Sequence, residues 1–137
     1  MGVGTQIICN AVPDAHVMTL DLGNDEADKS EQHPAFNGKD GVVGSRCDLP
    51  HEQLFGDSMI YDFAKNDPID AWFIDGEHDF NHVYREACAA IESKAGLIVF
   101  HDADLVAVAR GITAALDGAP YQLHRVEKTR IAYATRN

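Results

Sequence analysis

The 137-residue sequence lacks the features that mark membrane-spanning and secreted proteins. It has no run of about 18 apolar residues, and no basic start followed by an apolar stretch. Cysteine is scarce, since only Cys9, Cys47 and Cys88 occur, and they share no CxxC spacing. An odd, unpatterned set argues against a disulfide framework and against a structural zinc site. We therefore expect no membrane partner, reduced thiols and a cytoplasmic location.

Basic residues are also scarce. The chain carries 11 Lys and Arg residues against 22 Asp and Glu residues, a formal net charge of −11. A surface this negative repels phosphate backbones and anionic membranes, so we expect no nucleic-acid partner. A small-molecule substrate or a bound cation fits the charge better. The sequence has no GxGxxG stretch, which excludes a Rossmann-type nicotinamide dehydrogenase.

What the sequence does contain is a series of short apolar runs that end in acidic or glycine-containing turns. Such runs predict buried strands. The strands expected in the first three quarters of the chain cover residues 16–22, 53–55, 71–74 and 97–100. Two more, at residues 121–126 and 129–135, flank a tight turn and predict a hairpin.

Apolar positions with helical spacing separate these strands. One amphipathic helix is predicted from Phe80, with Asp79 as its N-cap and Gly96 as its stop. A second covers residues 105–116, and a shorter helix covers residues 5–12. Each helix lies between two predicted strands or at the start of the chain, which is the order expected of an α/β protein.

Strands that alternate with helices imply a parallel sheet with helices on both faces. We predict a Rossmann-like, doubly wound, mostly parallel sheet with a C-terminal antiparallel hairpin, formed by one domain over residues 1–137. The polar stretch at residues 24–40 contains Pro and Gly and has no periodicity. We expect it to be a mobile loop that could cover a binding site.

Carboxylates lie at or just past the ends of four predicted strands: Asp21, Asp57, Asp75 and Asp102. In open α/β sheets, ligands bind outside the carboxyl ends of the strands. Four carboxylates at one edge would repel each other unless a ligand offset their charge. A ribose diol, an adenine amine or a divalent cation would do so.

The stretch at residues 69–104 combines the motif IDG-x-H, a following helix and a strand that ends in His-Asp. It resembles class I S-adenosylmethionine-dependent methyltransferases. Within them it is most similar to the O-methyltransferase branch that contains cephalosporin-hydroxylase-like and sugar or macrolide methyltransferases. Weaker matches are Leu20-Asp21 and Gly56-Asp57-Ser58.

The resemblance implies methyl transfer from S-adenosylmethionine to a hydroxyl group of a small molecule or sugar. It places the cofactor's ribose on Asp21 and its adenine near Asp57 and Ser58. Gly4 would belong to the end of the glycine-rich turn that wraps the methionine part of the cofactor. In-line positioning of the acceptor oxygen against the sulfonium methyl group is the main requirement of the transfer step.

The resemblance also implies a magnesium-like cation, held by Asp75 and Asp102 with His101 adjacent. Such a cation acidifies a substrate hydroxyl and so favours the attacking oxyanion. Asp75 and His78 are the expected catalytic residues, His78 as the base. A structural alternative for His101 is a hydrogen-bonded histidine at the sheet edge.

One departure from the family pattern concerns the start of the chain. The family's first strand, which precedes the glycine-rich turn, is missing before Gly4. We expect the strands that end at Asp21 and Asp75 to pair directly in its place, and the chain to form a homo-oligomer. With this direct pairing, the turn that ends at Gly4 would be too incomplete to hold the methionine part of the cofactor, and cofactor binding would be weak or lost. The other possibility is that another chain supplies a strand or covers the gap. The alternative function is a non-catalytic, methyltransferase-like domain that serves as a binding or assembly module.

Two other metal-site interpretations are weaker. The His101-Asp102 pair is shared with metal-dependent phosphohydrolases, but those enzymes place the pair on helices, and here it follows an apolar strand. His78 and His82 have the spacing of a two-histidine zinc site, but no third ligand stands at a matching distance in the sequence.

Overall fold

A computed structural model describes residues 3–22 and 48–137. The helices and strands in these ranges are α1 Val3–Ala11, β1 Met18–Asp21, β2 Glu52–Phe55, β3 Ala71–Ile74, α2 Phe80–Glu92, β4 Leu97–Phe100, α3 Val106–Leu116, β5 Tyr121–Arg125 and β6 Ala132–Arg136. A 3-10 helix at Phe63–Asn66 precedes β3. The mixed α/β class is therefore confirmed. The loop predicted at residues 24–40 lies outside the described residues.

The chain divides into two compact units, one up to Asp57 and one from Ser58. The first unit contains α1 and a parallel pair of strands, β1 and β2. Met18 stands opposite Glu52, and Asp21 opposite Phe55, so the two strands end at the same edge. The backbone amide of Gly56 donates to the carbonyl of Asp21 at 2.9 Å and extends the pairing beyond β2.

The second unit contains a four-stranded sheet with the order β3-β4-β6-β5. β3 and β4 are parallel and connected through α2, whereas β6 runs antiparallel to both β4 and β5. The predicted C-terminal antiparallel hairpin is thus confirmed. Its second strand, β6, is the one that pairs with β4.

The expected direct pairing of the strands that end at Asp21 and Asp75 is wrong. β1 pairs with β2 and β3 pairs with β4, and the two pairs belong to separate sheets. The helix α2 returns β4 to one side of β3 as its parallel partner, and β3 is the edge strand of this sheet in the part of the chain that the structure describes. The finer Rossmann-like arrangement and the single domain remain predictions.

The core of the second unit lies between one face of the four-stranded sheet and the two helices. Ile98 and Phe100 of β4 stand opposite Ala134 and Ala132 of β6, and all four are at most 1% exposed. α2 begins where the sequence predicts, because the Asp79 carboxylate accepts hydrogen bonds from the amides of its first turn. This packing fixes the ends of β3 and β4, where the candidate site lies.

Within residues 3–22 and 48–137, no helix is both long enough and apolar enough to cross a membrane.

Candidate metal centre

The candidate site lies where β3 and β4 end side by side. Ile74 stands opposite Phe100, and the amide of His101 donates to the Ile74 carbonyl at 3.0 Å. Asp75 follows β3 directly, and His101 and Asp102 follow β4 directly. Because parallel neighbours share one carboxyl edge, these three side chains come together as the sequence predicts.

Asp102 is the buried member of the group. Its side chain is only 6% exposed, and its backbone has a φ of 53°, in the left-handed region that Asp adopts more readily than most residues. The Asp102 carboxylate contacts three positively charged or ionisable groups: His78 Nε2 at 2.8 Å, His101 Nδ1 at 3.1 Å and Arg130 Nη1 at 2.8 Å. A buried carboxylate needs such partners to offset the loss of water.

Asp75 is the more accessible carboxylate, with its side chain 44% exposed. One of its oxygens, Oδ1, lies 3.0 Å from His101 Nδ1, so this imidazole nitrogen stands between Asp75 and Asp102. Loss of solvent contact raises the pKa of Asp75 above its ordinary value, and the Asp102 carboxylate adds to the rise, while His101 opposes it. The two carboxylates therefore share a site that favours a cation.

Several polar atoms of the cluster are buried without a hydrogen bond of acceptable geometry: His78 Nε2, His101 Nδ1 and Asp102 Oδ1. Their oppositely charged or ionisable neighbours nevertheless lie at ion-pair distances of 2.8–3.1 Å, so the three atoms are close together at the end of β3 and β4. Convergent donor atoms of this kind fit a bound cation.

The geometry of the donors agrees with this interpretation. One ligand atom each from Asp75, His78 and Asp102 lie within 4.8 Å of one another. Oxygen and nitrogen ligands stand about 2.0–2.6 Å from magnesium, calcium or first-row metals, so atoms on one ion can be up to about 5 Å apart. A pocket of about 10 Å³ is lined by Asp75, His78 and His101 together with apolar side chains, and Asp102 is not part of its lining.

The donor set narrows the class of metal. Two carboxylates suit magnesium and manganese, and an imidazole is accepted more readily by manganese and later transition metals than by magnesium. The sequence predicts His101 as the histidine ligand, whereas the group with joint reach contains His78. The assignment of His101 as a ligand remains a prediction.

The remaining predicted site residues lie at the edge of the first unit or beside its boundary. Asp21 is the last residue of β1, and Asp57 and Ser58 follow β2 as half-buried residues. Gly4 lies in the first turn of α1, where a Cβ would meet nothing within 4 Å. Asp21 is therefore placed as expected at a carboxyl edge, and cofactor binding by these residues remains a prediction.

The structure adds Gln53 and Arg130, which the sequence does not single out. The Gln53 amide donates to the Asp21 carboxylate at 3.0 Å, because Gln53 stands opposite Thr19 and so shares a face with Asp21. Arg130 lies in the turn before β6 and reaches Asp102. The predicted hairpin is the sequence feature that could have indicated a role for Arg130. A strand that runs antiparallel beside β4 begins at the edge where β4 ends, so the turn before that strand lies at the same edge.

The two-histidine zinc interpretation fails in the described residues. His82, in the first turn of α2, contacts the carboxylate of Asp79, whereas His78 contacts Asp102. The two imidazoles thus have different partners. The phosphohydrolase interpretation fails as well, because the His101-Asp102 pair follows a strand.

Comparisons with protein-family models, with curated proteins and with solved structures find no match for this chain. The likeness to methyltransferases therefore rests on the motif residues, and membership of that family is a matter of proposal.

Proposed function

We propose that this chain is an S-adenosylmethionine-dependent O-methyltransferase that uses a divalent cation and acts on a hydroxyl group of a small molecule or sugar. The observation that carries the proposal is the convergence of Asp75, His78 and Asp102 at the carboxyl edge of two parallel strands. A cation at this edge would lower the pKa of a substrate hydroxyl and stabilise the attacking oxyanion.

The finer fold belongs to the same proposal. The two parallel strand pairs, β1 with β2 and β3 with β4, are the pairs that a Rossmann-like, doubly wound sheet contains. Each pair carries acidic residues at its carboxyl edge, Asp21 and Asp57 in one and Asp75 and Asp102 in the other. Asp21 would bind the cofactor ribose, with Asp57 and Ser58 near its adenine.

The site geometry favours an exchange of the roles that the sequence assigns to the two histidines. His78 Nε2 is buried among carboxylate oxygens, so we propose His78 as the third ligand beside Asp75 and Asp102. An imidazole nitrogen that binds a cation has no lone pair for a proton, which excludes His78 as the base while the cation is bound.

His101 is the better candidate for the base. Two carboxylate oxygens, on Asp75 and Asp102, stand 3.0 Å and 3.1 Å from its Nδ1 and favour a proton on that nitrogen. The lone pair then lies on Nε2, which can accept a proton from a substrate hydroxyl.

Calorimetry with S-adenosylhomocysteine, with and without Mg²⁺ or Mn²⁺, tests the proposal on the intact chain. We expect S-adenosylhomocysteine to bind, and Asp21→Asn to weaken this binding because it removes a charged acceptor for the ribose hydroxyls. Asp14→Asn, at an exposed position before β1, is the matched control. Absence of binding by the unmodified chain would reject methyl transfer. Cation binding alone would then favour the alternative, a non-catalytic binding or assembly module.

A further inference from the structure

Arg130 brings a permanent positive charge into the candidate metal centre. Its guanidinium spans two carboxylates, with Nη1 2.8 Å from Asp102 Oδ1 and Nε 2.9 Å from Asp104 Oδ1. The Arg130 backbone is fixed as well, because its carbonyl accepts a hydrogen bond from the Ala103 amide at 2.9 Å. The turn before β6 is thus bonded to the residue that follows Asp102.

The two carboxylates that Arg130 contacts differ in their surroundings. Asp102 is 6% exposed, whereas Asp104 is 53% exposed and is held by a hydrogen bond from Arg130 that lowers the pKa of Asp104. Asp102 Oδ1 faces both Arg130 and His101, so this oxygen is already shared between two groups. Arg130 can therefore keep its contact with Asp104 when it gives up its contact with Asp102.

A divalent cation and a guanidinium cannot both take the same face of one carboxylate oxygen, because like charges a few ångströms apart repel each other, and here the oxygen belongs to the buried Asp102. A buried carboxylate without any cation is also costly. Without a bound cation, Arg130 supplies the positive charge that the buried Asp102 carboxylate needs. When a cation binds, the same guanidinium repels it at Asp102.

We propose that Arg130 is a built-in counter-cation that competes with a divalent cation for Asp102 and withdraws to Asp104 when the cation binds. The inference rests on the proposed cation site and assigns to Arg130 the role of setting its affinity. In this role Arg130 stabilises the protein without a cation and weakens cation binding. A residue that only orients Asp102 would strengthen cation binding instead.

Two measurements on the intact chain test the proposal. Calorimetric titration with Mn²⁺ gives the affinity, and thermal unfolding with and without Mn²⁺ gives the stability. We expect Arg130→Gln to bind Mn²⁺ about tenfold more tightly than the unmodified chain, as expected for loss of one partly buried ionic competitor. Without Mn²⁺ this variant should unfold at a lower temperature, and with Mn²⁺ it should show a larger upward shift.

Two further variants separate competition from general charge. Arg136→Gln makes the same change in net charge at the other end of β6, where the Arg136 guanidinium donates to the Lys94 carbonyl. It should keep the Mn²⁺ affinity within about twofold, because exposed charges at a distance are screened. The Mn²⁺ affinity of Arg130→Lys should fall between the affinities of Arg130→Gln and of the unmodified chain. A lysine ammonium is a point charge, so it cannot pair with both carboxylates as the guanidinium does.

The outcomes are distinct. Equal or weaker Mn²⁺ binding by Arg130→Gln, with clear binding by the unmodified chain, would overturn the competition and leave the cation site intact. An equal gain of affinity in Arg136→Gln would also overturn it, because net charge alone would then explain the result. Failure of every variant and of the unmodified chain to bind Mn²⁺ would reject the cation site and the competition together.

Discussion

His78 Nε2 lies 2.8 Å from Asp102 Oδ2, which joins the loop after β3 to the end of β4. The contact crosses between two strands that are parallel neighbours, so it depends on the sheet and not on the local sequence. It places an imidazole nitrogen at a buried carboxylate that already has two other partners, His101 and Arg130. This arrangement distinguishes His78 from His82, although both flank the start of α2.

The first prediction compares these two histidines. We expect His78→Ala to weaken Mn²⁺ binding about tenfold, because it removes one of three donor atoms that lie within 4.8 Å of one another. His82→Ala should leave the Mn²⁺ affinity unchanged within about twofold, since His82 contacts Asp79 and not the cluster. Calorimetric titration of both variants measures the difference. Unchanged affinity in His78→Ala would return His78 to its predicted role as a base.

The second prediction concerns the charge and the backbone of Asp102. Asp102→Asn should reduce the Mn²⁺ affinity at least about tenfold, because an amide is a weaker cation ligand than a carboxylate. Asp70→Asn is the control, since Asp70 precedes β3 at the edge opposite the site and is exposed. Retained affinity in Asp102→Asn would exclude Asp102 as a ligand.

Asp102→Ala separates backbone strain from charge. At a φ of 53°, Asn is tolerated, whereas Ala costs about 1–2 kcal/mol. We therefore expect Asp102→Ala to be less stable than Asp102→Asn by about that amount in denaturant-induced unfolding. Equal stability of the two variants would show that the left-handed backbone contributes no strain.

Much of the second unit could be predicted from the sequence because its signals are local. The apolar runs at residues 71–74 and 97–100 give β3 and β4 with their observed bounds, and the helical spacing after Asp79 gives α2. The adjacency of Asp75 and Asp102 follows from these elements, because a strand, a helix and a second strand form a parallel pair.

The features that the sequence does not predict have a different cause, because they depend on contacts between distant segments of the chain. The choice of β2 as the partner of β1 depends on packing across a long stretch of chain, and the sequence pattern of β1 alone favours no particular partner. Arg130 reaches Asp102 only because β6 lies beside β4 with Ala132 opposite Phe100. The orientation of His78 toward the cluster is set by the loop after β3, which has no periodic pattern to interpret.

The third prediction concerns the close approach of α2 and α3. A Cβ at Gly111 would lie 3.0 Å from the Val83 Cβ and 3.1 Å from the Phe80 carbonyl oxygen. Gly111→Ala should therefore destabilise the protein by about 1–3 kcal/mol, because the backbone of α2 cannot move aside as a flexible side chain would.

Gly4→Ala is the control, since Gly4 also lies in a helix and a Cβ there would have open space around it. It should leave stability unchanged or raise it by up to about 1 kcal/mol. Chemical unfolding of both variants measures the contrast, and similar effects at the two glycines would argue against a tight helix contact.

The fourth prediction concerns stability at high pH and the hydroxyl of Tyr121. This hydroxyl donates to the Ala95 carbonyl at 2.7 Å in a buried contact, and burial raises the pKa of Tyr121 above its ordinary value of 10.0, with Arg136 opposing the rise. The folded protein therefore holds the phenolic proton more tightly than the unfolded chain does. This contribution to stability is complete below the ordinary pKa and is lost as the pH rises from about 10 through the pKa of the folded state.

Tyr121→Phe should cost about 1 kcal/mol at neutral pH, because the Ala95 carbonyl loses its donor. The same variant should show a smaller loss of stability than the unmodified chain between neutral pH and the alkaline range. Tyr133→Phe, on the half-exposed face of β6, is the control and should keep the alkaline loss. Urea unfolding at a series of pH values measures both effects. An alkaline loss of the same size in Tyr121→Phe would show that another group carries the pH dependence.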